Sequence, residues 1–323
     1  MEPILKVDQL KKIYSLKGKK EFIAVDDVSF SVNRGEIFGL LGPNGAGKTS
    51  TIKCICGLLK YEGGEILVKG HSMKKERSKG LRHISAVLEG NRNIYWRMTV
   101  RENLEFFTGI NGLSPAKTRG RLEGLLEQFQ LVEQRDTVVN NLSRGMKQKV
   151  AIAISLITDK DIILLDEPTL GLDVGMSQEL RYLLKTIAKE EGKTILLSTH
   201  DMKVVEETCN RLIIINKGKR IVHDTVENVI KLTNQENYLL KLKDSLERNL
   251  YEQIKAKSKN IKSSNDRRGI YELSLFHPND LYHVMEILKS NNVELVSIDR
   301  INNRLEDIFI DLVKEVKDDE ISV

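Results

Sequence analysis

The sequence predicts an α/β protein: a mainly parallel sheet, then a smaller C-terminal α/β domain. Three observations lead there. Apolar-rich stretches of strand length at 37–41, 162–165 and 194–198, the first wholly apolar, are separated by segments of helical periodicity, the pattern of buried strands covered on both faces. The first of them runs straight into a glycine-rich turn and then an apolar-striped helical segment at 48–59. Near residue 230 the composition shifts and a second alternation of strands and helices begins.

Taken in order, 4–7, 28–32 and 65–69 alternate apolar with polar residues and read as half-buried strands. Residues from about 92 to 160 read mainly as helix, with apolar stripes at Leu104, Phe107, Leu122, Leu125, Leu126 and Phe129. Short strands at 211–216 and 220–222 flank the turn Lys217-Gly218-Lys219. In the tail, strands are expected at 238–243, 270–276 and 293–300 and helices at 245–256, 279–291 and 304–316. The basic, Ser- and Asn-containing run 255–268 reads as a mobile loop. The expected boundary divides a domain of 1–229 from an accessory domain of 230–323.

Composition narrows the function. With 40% apolar and 30% charged residues the chain is globular rather than disordered. The net charge of +5 is a surplus of seven positive charges before residue 231 and a deficit of two after it, too little to argue for nucleic-acid binding. No apolar run reaches the roughly 18 to 20 residues that cross a bilayer, and the N-terminus has no signal-peptide core. Cys54, Cys56 and Cys209 make no disulfide framework, and a reduced cytosolic setting is expected. Cys54-x-Cys56 is open to two readings, a zinc or redox pair or small apolar packing in a helix.

The sharpest motif is Gly42-Pro43-Asn44-Gly45-Ala46-Gly47-Lys48-Thr49, followed by Ser50, set between a buried strand and a helix. Its glycines let backbone N–H groups turn toward a phosphate, and the helix N-terminus adds positive field. Lys48 is expected to reach the β- and γ-phosphates and Thr49 to bind Mg2+. A second element, the strand at 162–165, ends in Asp166-Glu167. Asp166 is suited to hold Mg2+, and Glu167 to position or deprotonate an attacking water. The two elements together describe a nucleotide-hydrolysing site.

The order of this phosphate loop, Leu142-Ser143-Arg144-Gly145-Met146, Leu164-Leu165-Asp166-Glu167-Pro168-Thr169-Leu170-Gly171-Leu172-Asp173 and Ser198-Thr199-His200 resembles the ATP-binding cassette (ABC) ATPases over roughly residues 1–225. The resemblance implies a core with a parallel sheet, an antiparallel β subdomain and a helical subdomain at about 90–160. It also implies ATP and Mg2+ as ligands and a head-to-tail pair of cassettes, two copies of this chain or this chain with a related one. Ser143 and Gly145 would then meet the γ-phosphate bound by the other subunit, Asp173 would couple the two sites, and His200 would contact the γ-phosphate. Adenine would stack on an upstream aromatic, with Tyr14 matching better than its rival Phe22. Two positions depart from the family pattern. Glu89 stands where glutamine is usual, open to the metal or to pairing with Arg92. Arg144 stands where glycine is usual, open to phosphate or to solvent.

The same resemblance implies a membrane exporter's ATP-binding subunit, peripheral at the cytoplasmic face through a permease chain. The segment Gly90 to Leu104, with Tyr95 and Trp96, follows the Glu89 position where such cassettes receive a permease helix. Trp96 is equally open to packing inside the helical subdomain. The run Asn303 to Leu312, with Leu305-Glu306-Asp307-Ile308-Phe309, resembles the closing helix of the small C-terminal domain in many exporter subunits. The alternative is an ABC ATPase without transport, in signalling, translation or DNA maintenance.

Overall fold

The computed structural model describes residues 2–15, 21–90, 93–232, 236–263, 269–277, 279–301, 305, 306, 308 and 309. It consists of two compact units, Met1–Val226 and Glu227–Val323.

The first unit opens with β1 (Leu5–Tyr14) and β2 (Phe22–Val32), then β3 (Ile37–Leu41) and α1 (Lys48–Ile55). β4 (Gly63–Val68), β5 (His71–Ser72), α2 (Arg77–Leu81) and β6 (Ile84–Val87) follow. Then come α3 (Val100–Ile110), α4 (Pro115–Gln128), a 3-10 turn at Val139–Asn141 and α5 (Arg144–Ile157). The unit closes with β7 (Ile162–Asp166), α6 (Val174–Glu190), β8 (Thr194–Thr199), α7 (Met202–Thr208), β9 (Arg211–Asn216) and β10 (Lys219–Thr225).

Six of these strands form one sheet in the order β10-β9-β3-β8-β7-β6, parallel throughout except for β10 at the edge. β3, β7 and β8 are buried along their whole length, which is why their sequences run apolar without alternation. Pleating sends Ile163, Leu165, Ile195 and Leu197 into one core, shared with α3 to α6. Ile162, Leu164, Leu196 and Phe38 enter the other, shared with α1 and β1 to β4. Full burial of each such side chain contributes about 1.5–3 kcal/mol.

A second sheet, β2-β1-β4-β5, is antiparallel. β1 and β2 extend well beyond the alternating stretches expected at 4–7 and 28–32. Gln9 and Asp27 take left-handed φ of 48° and 55°, and the pairing shifts register between Val7 and Leu10. Bulges of this kind break the two-residue period that sequence reading follows. α1 ends at Ile55 rather than running to 59, closed by Gly57 at φ 66°.

α8 (Val226–Leu232) begins at the boundary between the units. The second unit continues with β11 (Glu236–Leu242), α9 (Arg248–Ala256), β12 (Asn260–Ser263), β13 (Ile270–Leu275), α10 (Asp280–Ser290) and β14 (Leu295–Ile301). Its sheet order, β12-β13-β11-β14, is all antiparallel, the arrangement of a split β-α-β fold. Leu240, Leu273 and Leu275 pack with Ile254 of α9 and Val284 and Leu288 of α10.

The expectation of a loop over 255–268 is corrected in part. β12 pairs residue for residue with β13 and buries Ile261. One apolar residue among polar neighbours suffices on an edge strand, and such a run carries little strand signal. The rest of that run, 264–268, lies outside the described residues, as does most of the helix expected at 304–316. Leu305, Glu306, Ile308 and Phe309 are described and helical, and Leu305, Ile308 and Phe309 are buried.

Candidate functional site

β3 hands the chain to the turn 42–47, whose shape is fixed by close backbone approach. Gly47 has φ 106°, and a Cβ there would collide with the carbonyl oxygen of Ala24. Gly47 caps α1 without a side chain, so no cap competes for the N–H groups of the first turn. Lys48 begins the helix nearly buried. Its ammonium donates to the carbonyls of Gly42 at 2.7 Å and Pro43 at 3.2 Å and lies 3.4 Å from Glu167 Oε1.

At the end of β7, Asp166 is 2% exposed. Its Oδ1 accepts from Ser198 Oγ at 2.5 Å and Thr49 Oγ1 at 3.1 Å, while Oδ2 is buried without a partner. A bare carboxylate oxygen beside a threonine hydroxyl, with Glu89 and Lys53 lining the same cavity of about 300 Å³, fits a divalent cation. Among the described residues no cluster of three His, Cys, Asp or Glu makes a metal cage. The donor set is that of a cation completed by phosphate oxygens.

Glu167 takes φ 51°, and its N–H donates to Ser198 O at 3.0 Å. Its Oε2 lies 3.0 Å from His200 Nδ1. A non-glycine residue held left-handed at this point is backbone strain sustained by its surroundings. The adjoining cavity, about 450 Å³, is lined by Asn44, Gly45, Ala46, Gly47, Lys48, Thr49, Ser50, Glu89, Glu167 and His200, with Phe22, Ala24 and Leu170 completing the wall. The structure therefore brings the phosphate loop, Glu89, Glu167 and His200 to one space, with Asp166 in the neighbouring cavity that shares Thr49 and Glu89. Arg92 lies outside the described residues, and with it the alternative pairing of Glu89.

The structure does not bring Tyr14, the aromatic that matched better in sequence, to the cavity wall. Tyr14 and Phe22 are cross-strand partners in the β1–β2 ladder, and Phe22 is the one on the cavity wall, 58% exposed. Tyr14 instead hydrogen-bonds Ser50 Oγ through its hydroxyl at 3.1 Å, with the Lys12 ammonium 5.1 Å from its ring centre. The bulged register that decides this carries no signal in the composition of the strands.

Ser143, Gly145 and Asp173 are not among the residues lining either cavity. Ser143 caps α5, accepting from Met146 N at 3.2 Å, and Asp173 caps α6, accepting from Met176 N at 2.9 Å. Gly145 is buried against Met176. Cys54 and Cys56 are buried and unbridged, and burial pushes both thiols up to about 12, as small apolar packing requires. Ser198, which carries the shorter hydrogen bond to Asp166, has no motif of its own beyond its place before His200.

The model of the ABC transporter family matches residues 25–170. The chain is 39% identical over 223 residues to the ABC transporter ATP-binding protein NatA of Bacillus subtilis, covering 68% of this chain and 90% of that one. It is 30% identical over 325 residues to the uncharacterized ABC transporter ATP-binding protein YhcH of the same organism, covering 99% of both. The ATP-binding cassette MJ0796, solved as a dimer in a post-hydrolysis state with ADP and Pi, is similar at TM-score 0.62 and 28% identity over 69% of this chain and 98% of that one.

Replacing Gly47 by Ala will force the turn away from Ala24 and cost about 1–3 kcal/mol of backbone strain. Titration with a fluorescent ATP analogue is expected to show binding lost, and Ser198→Ala is expected to weaken Mg2+-dependent binding more than Mg2+-free binding.

Proposed function

The chain belongs to the ABC transporter ATP-binding family and is an ATPase, and from that premise we propose that it powers a membrane exporter through ATP-driven pairing of two cassettes. The observation that carries the chemistry is the Lys48–Glu167 contact at one end of the cavity, beside the bare oxygen of Asp166. The Lys48 ammonium rests on two loop carbonyls and Glu167. A triphosphate offers it stronger charge-assisted partners and frees the Glu167 carboxylate to receive a proton.

In this reading Lys48 binds the β- and γ-phosphates, and the backbone of 42–50 cradles them. Thr49, Asp166 and Glu89 would hold Mg2+, which when bound offsets the phosphate charge. Glu167 orients the attacking water and takes its proton, and His200, bonded to Glu167 through Nδ1, reaches the γ-phosphate with its other ring nitrogen. Phe22 stacks on the base. Ser143 and Gly145 serve the second cassette's nucleotide: the Ser143 oxygen accepts within its own helix and its O–H remains to donate. Asp173 links the two sites across the pair. The pair is a homodimer or includes a related chain. Residues 1–229 are the cassette and 230–323 an accessory domain.

A permease partner is supported by a cleft away from the nucleotide. Two adjoining cavities, about 420 and 330 Å³, share Asn111, Thr158 and Lys160. Ser85, Tyr95, Phe107 and Ile154 line the first, and Arg82 and Leu113 the second. No carboxylate is among the residues lining either, burial depresses the pKa of Lys160, and Ser85 Oγ is buried without a partner. Such a cleft suits a short segment of another chain that brings an acidic side chain and an apolar one. Tyr95 and Trp96, 49% and 45% exposed, stand in the segment beside it. No described helix is long and apolar enough to cross a membrane, so membrane attachment through a permease, at the cytoplasmic face, belongs to this proposal.

Glu167→Gln is expected to bind ATP and accumulate a stable dimer on size-exclusion chromatography, and wild-type hydrolysis by this variant would remove Glu167 from its role. Lys48→Ala is expected to lose about tenfold or more in ATP affinity. Crosslinking in native cells followed by mass spectrometry is expected to recover a polytopic membrane protein, and Lys160→Glu to lower that recovery several-fold while leaving ATP binding intact. Recovery with ribosomes or DNA alone would overturn the transport reading.

A further inference from the structure

The space over Gly171 is occupied by the guanidinium of Arg144. Gly171, at φ 69°, lies in the turn 168–172 that joins Glu167 to α6. A Cβ there would collide with Nη1 and Cζ of Arg144 and lie 2.8 Å from Nη2. Arg144 is the first residue of α5, its side chain is exposed, and it makes no ion pair among the described residues. The contact is of a guanidinium with the backbone of a turn, not of a charge with a charge. Two further contacts fasten α5 to the start of α6. Met176 packs on Gly145, and Lys149 Nζ lies 2.6 Å from Glu179 Oε1 with the lysine side chain 7% exposed.

The turn beneath Arg144 leads back into the nucleotide cavity. Leu170 lines that cavity, its N–H donates to Glu167 O at 3.2 Å, and Leu172 N donates to Thr169 O at 3.2 Å. Glu167, left-handed without being a glycine, persists only where neighbours hold it, and Gly171, four positions on, takes its left-handed turn freely and leaves room for a side chain to lie over it. Ser198 holds one end, through its carbonyl and hydroxyl on Glu167 N. Arg144 covers the other.

We infer that Arg144 is a positioning residue for Glu167: its planar guanidinium covers Gly171 and keeps the turn 168–172, and through it the Glu167 carboxylate, in place. The inference rests on the reading of Glu167 given above. Flat shape is what acts here, so charge alone is not a substitute. Lysine keeps the charge but ends in a compact ammonium on a flexible stem, whereas glutamine keeps a planar end without charge.

The test uses the purified full chain with Arg144→Ala, Arg144→Lys and Arg144→Gln. Two readouts are taken: kcat and KM for ATP hydrolysis, and amide hydrogen exchange of the peptide 168–173 without nucleotide. Arg144→Ala and Arg144→Lys are expected to lower kcat about 5- to 10-fold with KM within about twofold, the pattern of a group acting in the transition state rather than in binding. Exchange in 168–173 rises several-fold while that of α1 stays unchanged, and Arg144→Gln recovers part of both effects. Should Arg144→Ala fail to fold, the Lys and Gln variants decide alone. Wild-type behaviour of Arg144→Lys with failure of Arg144→Gln overturns the inference in favour of a charge directed at phosphate. Unchanged exchange in all variants overturns it outright while leaving Glu167 in its role, and wild-type hydrolysis by Glu167→Gln removes that role together with this inference.

Discussion

At the end of β7 the carboxylate of Asp166 is taken out of water with one oxygen bonded twice and the other bare. An ionised group buried this deeply costs several kcal/mol unless it is compensated, and the compensation has to come from elements far apart in sequence. Thr49 arrives from α1, 117 positions upstream, and Ser198 from β8, 32 positions downstream. The strand order makes this feasible. β8 lies between β3 and β7, so the phosphate loop, the acidic strand end and the Ser198–His200 segment open onto the same edge. Ligands of open parallel sheets gather at such carboxyl ends. Shifting the order or register of these three strands would strand the Asp166 charge and disperse the site together.

Helix N-termini are used in two ways. α1 is capped by a glycine and offers its first turn to an anion. α5 and α6 are capped by their own side chains, Ser143 and Asp173, and are locked to one another by Gly145 on Met176 and Arg144 on Gly171. The first arrangement makes a site within the chain. The second leaves two exposed polar caps at the starts of neighbouring helices.

The phosphate loop, Asp166 and Glu167 were legible because their chemistry demands particular residue types at fixed local spacing, flanked by strands whose unbroken apolar runs announce burial. The bulges at Gln9 and Asp27, the choice of Phe22 over Tyr14 and the edge strand β12 were not. Each depends on pairing between strands, and a residue's own neighbours in sequence say little about the partner it will meet. The cleft around Lys160 is the same case, since its wall is assembled from β6, the segment 93–95, α3 and α5, which meet only in the fold.

By itself, then, the sequence determined an α/β core, a glycine-rich phosphate loop at Gly42 to Ser50 and an order of motifs that resembles the ABC ATPases, since periodicity and motif spacing are properties of short stretches of chain. Tertiary structure alone decided which oxygen of Asp166 stays bare, which aromatic reaches the cavity and what the Arg144 guanidinium covers. Those outcomes are set by close packing and hydrogen-bond satisfaction between segments tens of residues apart, and exist only once the strands have taken their order.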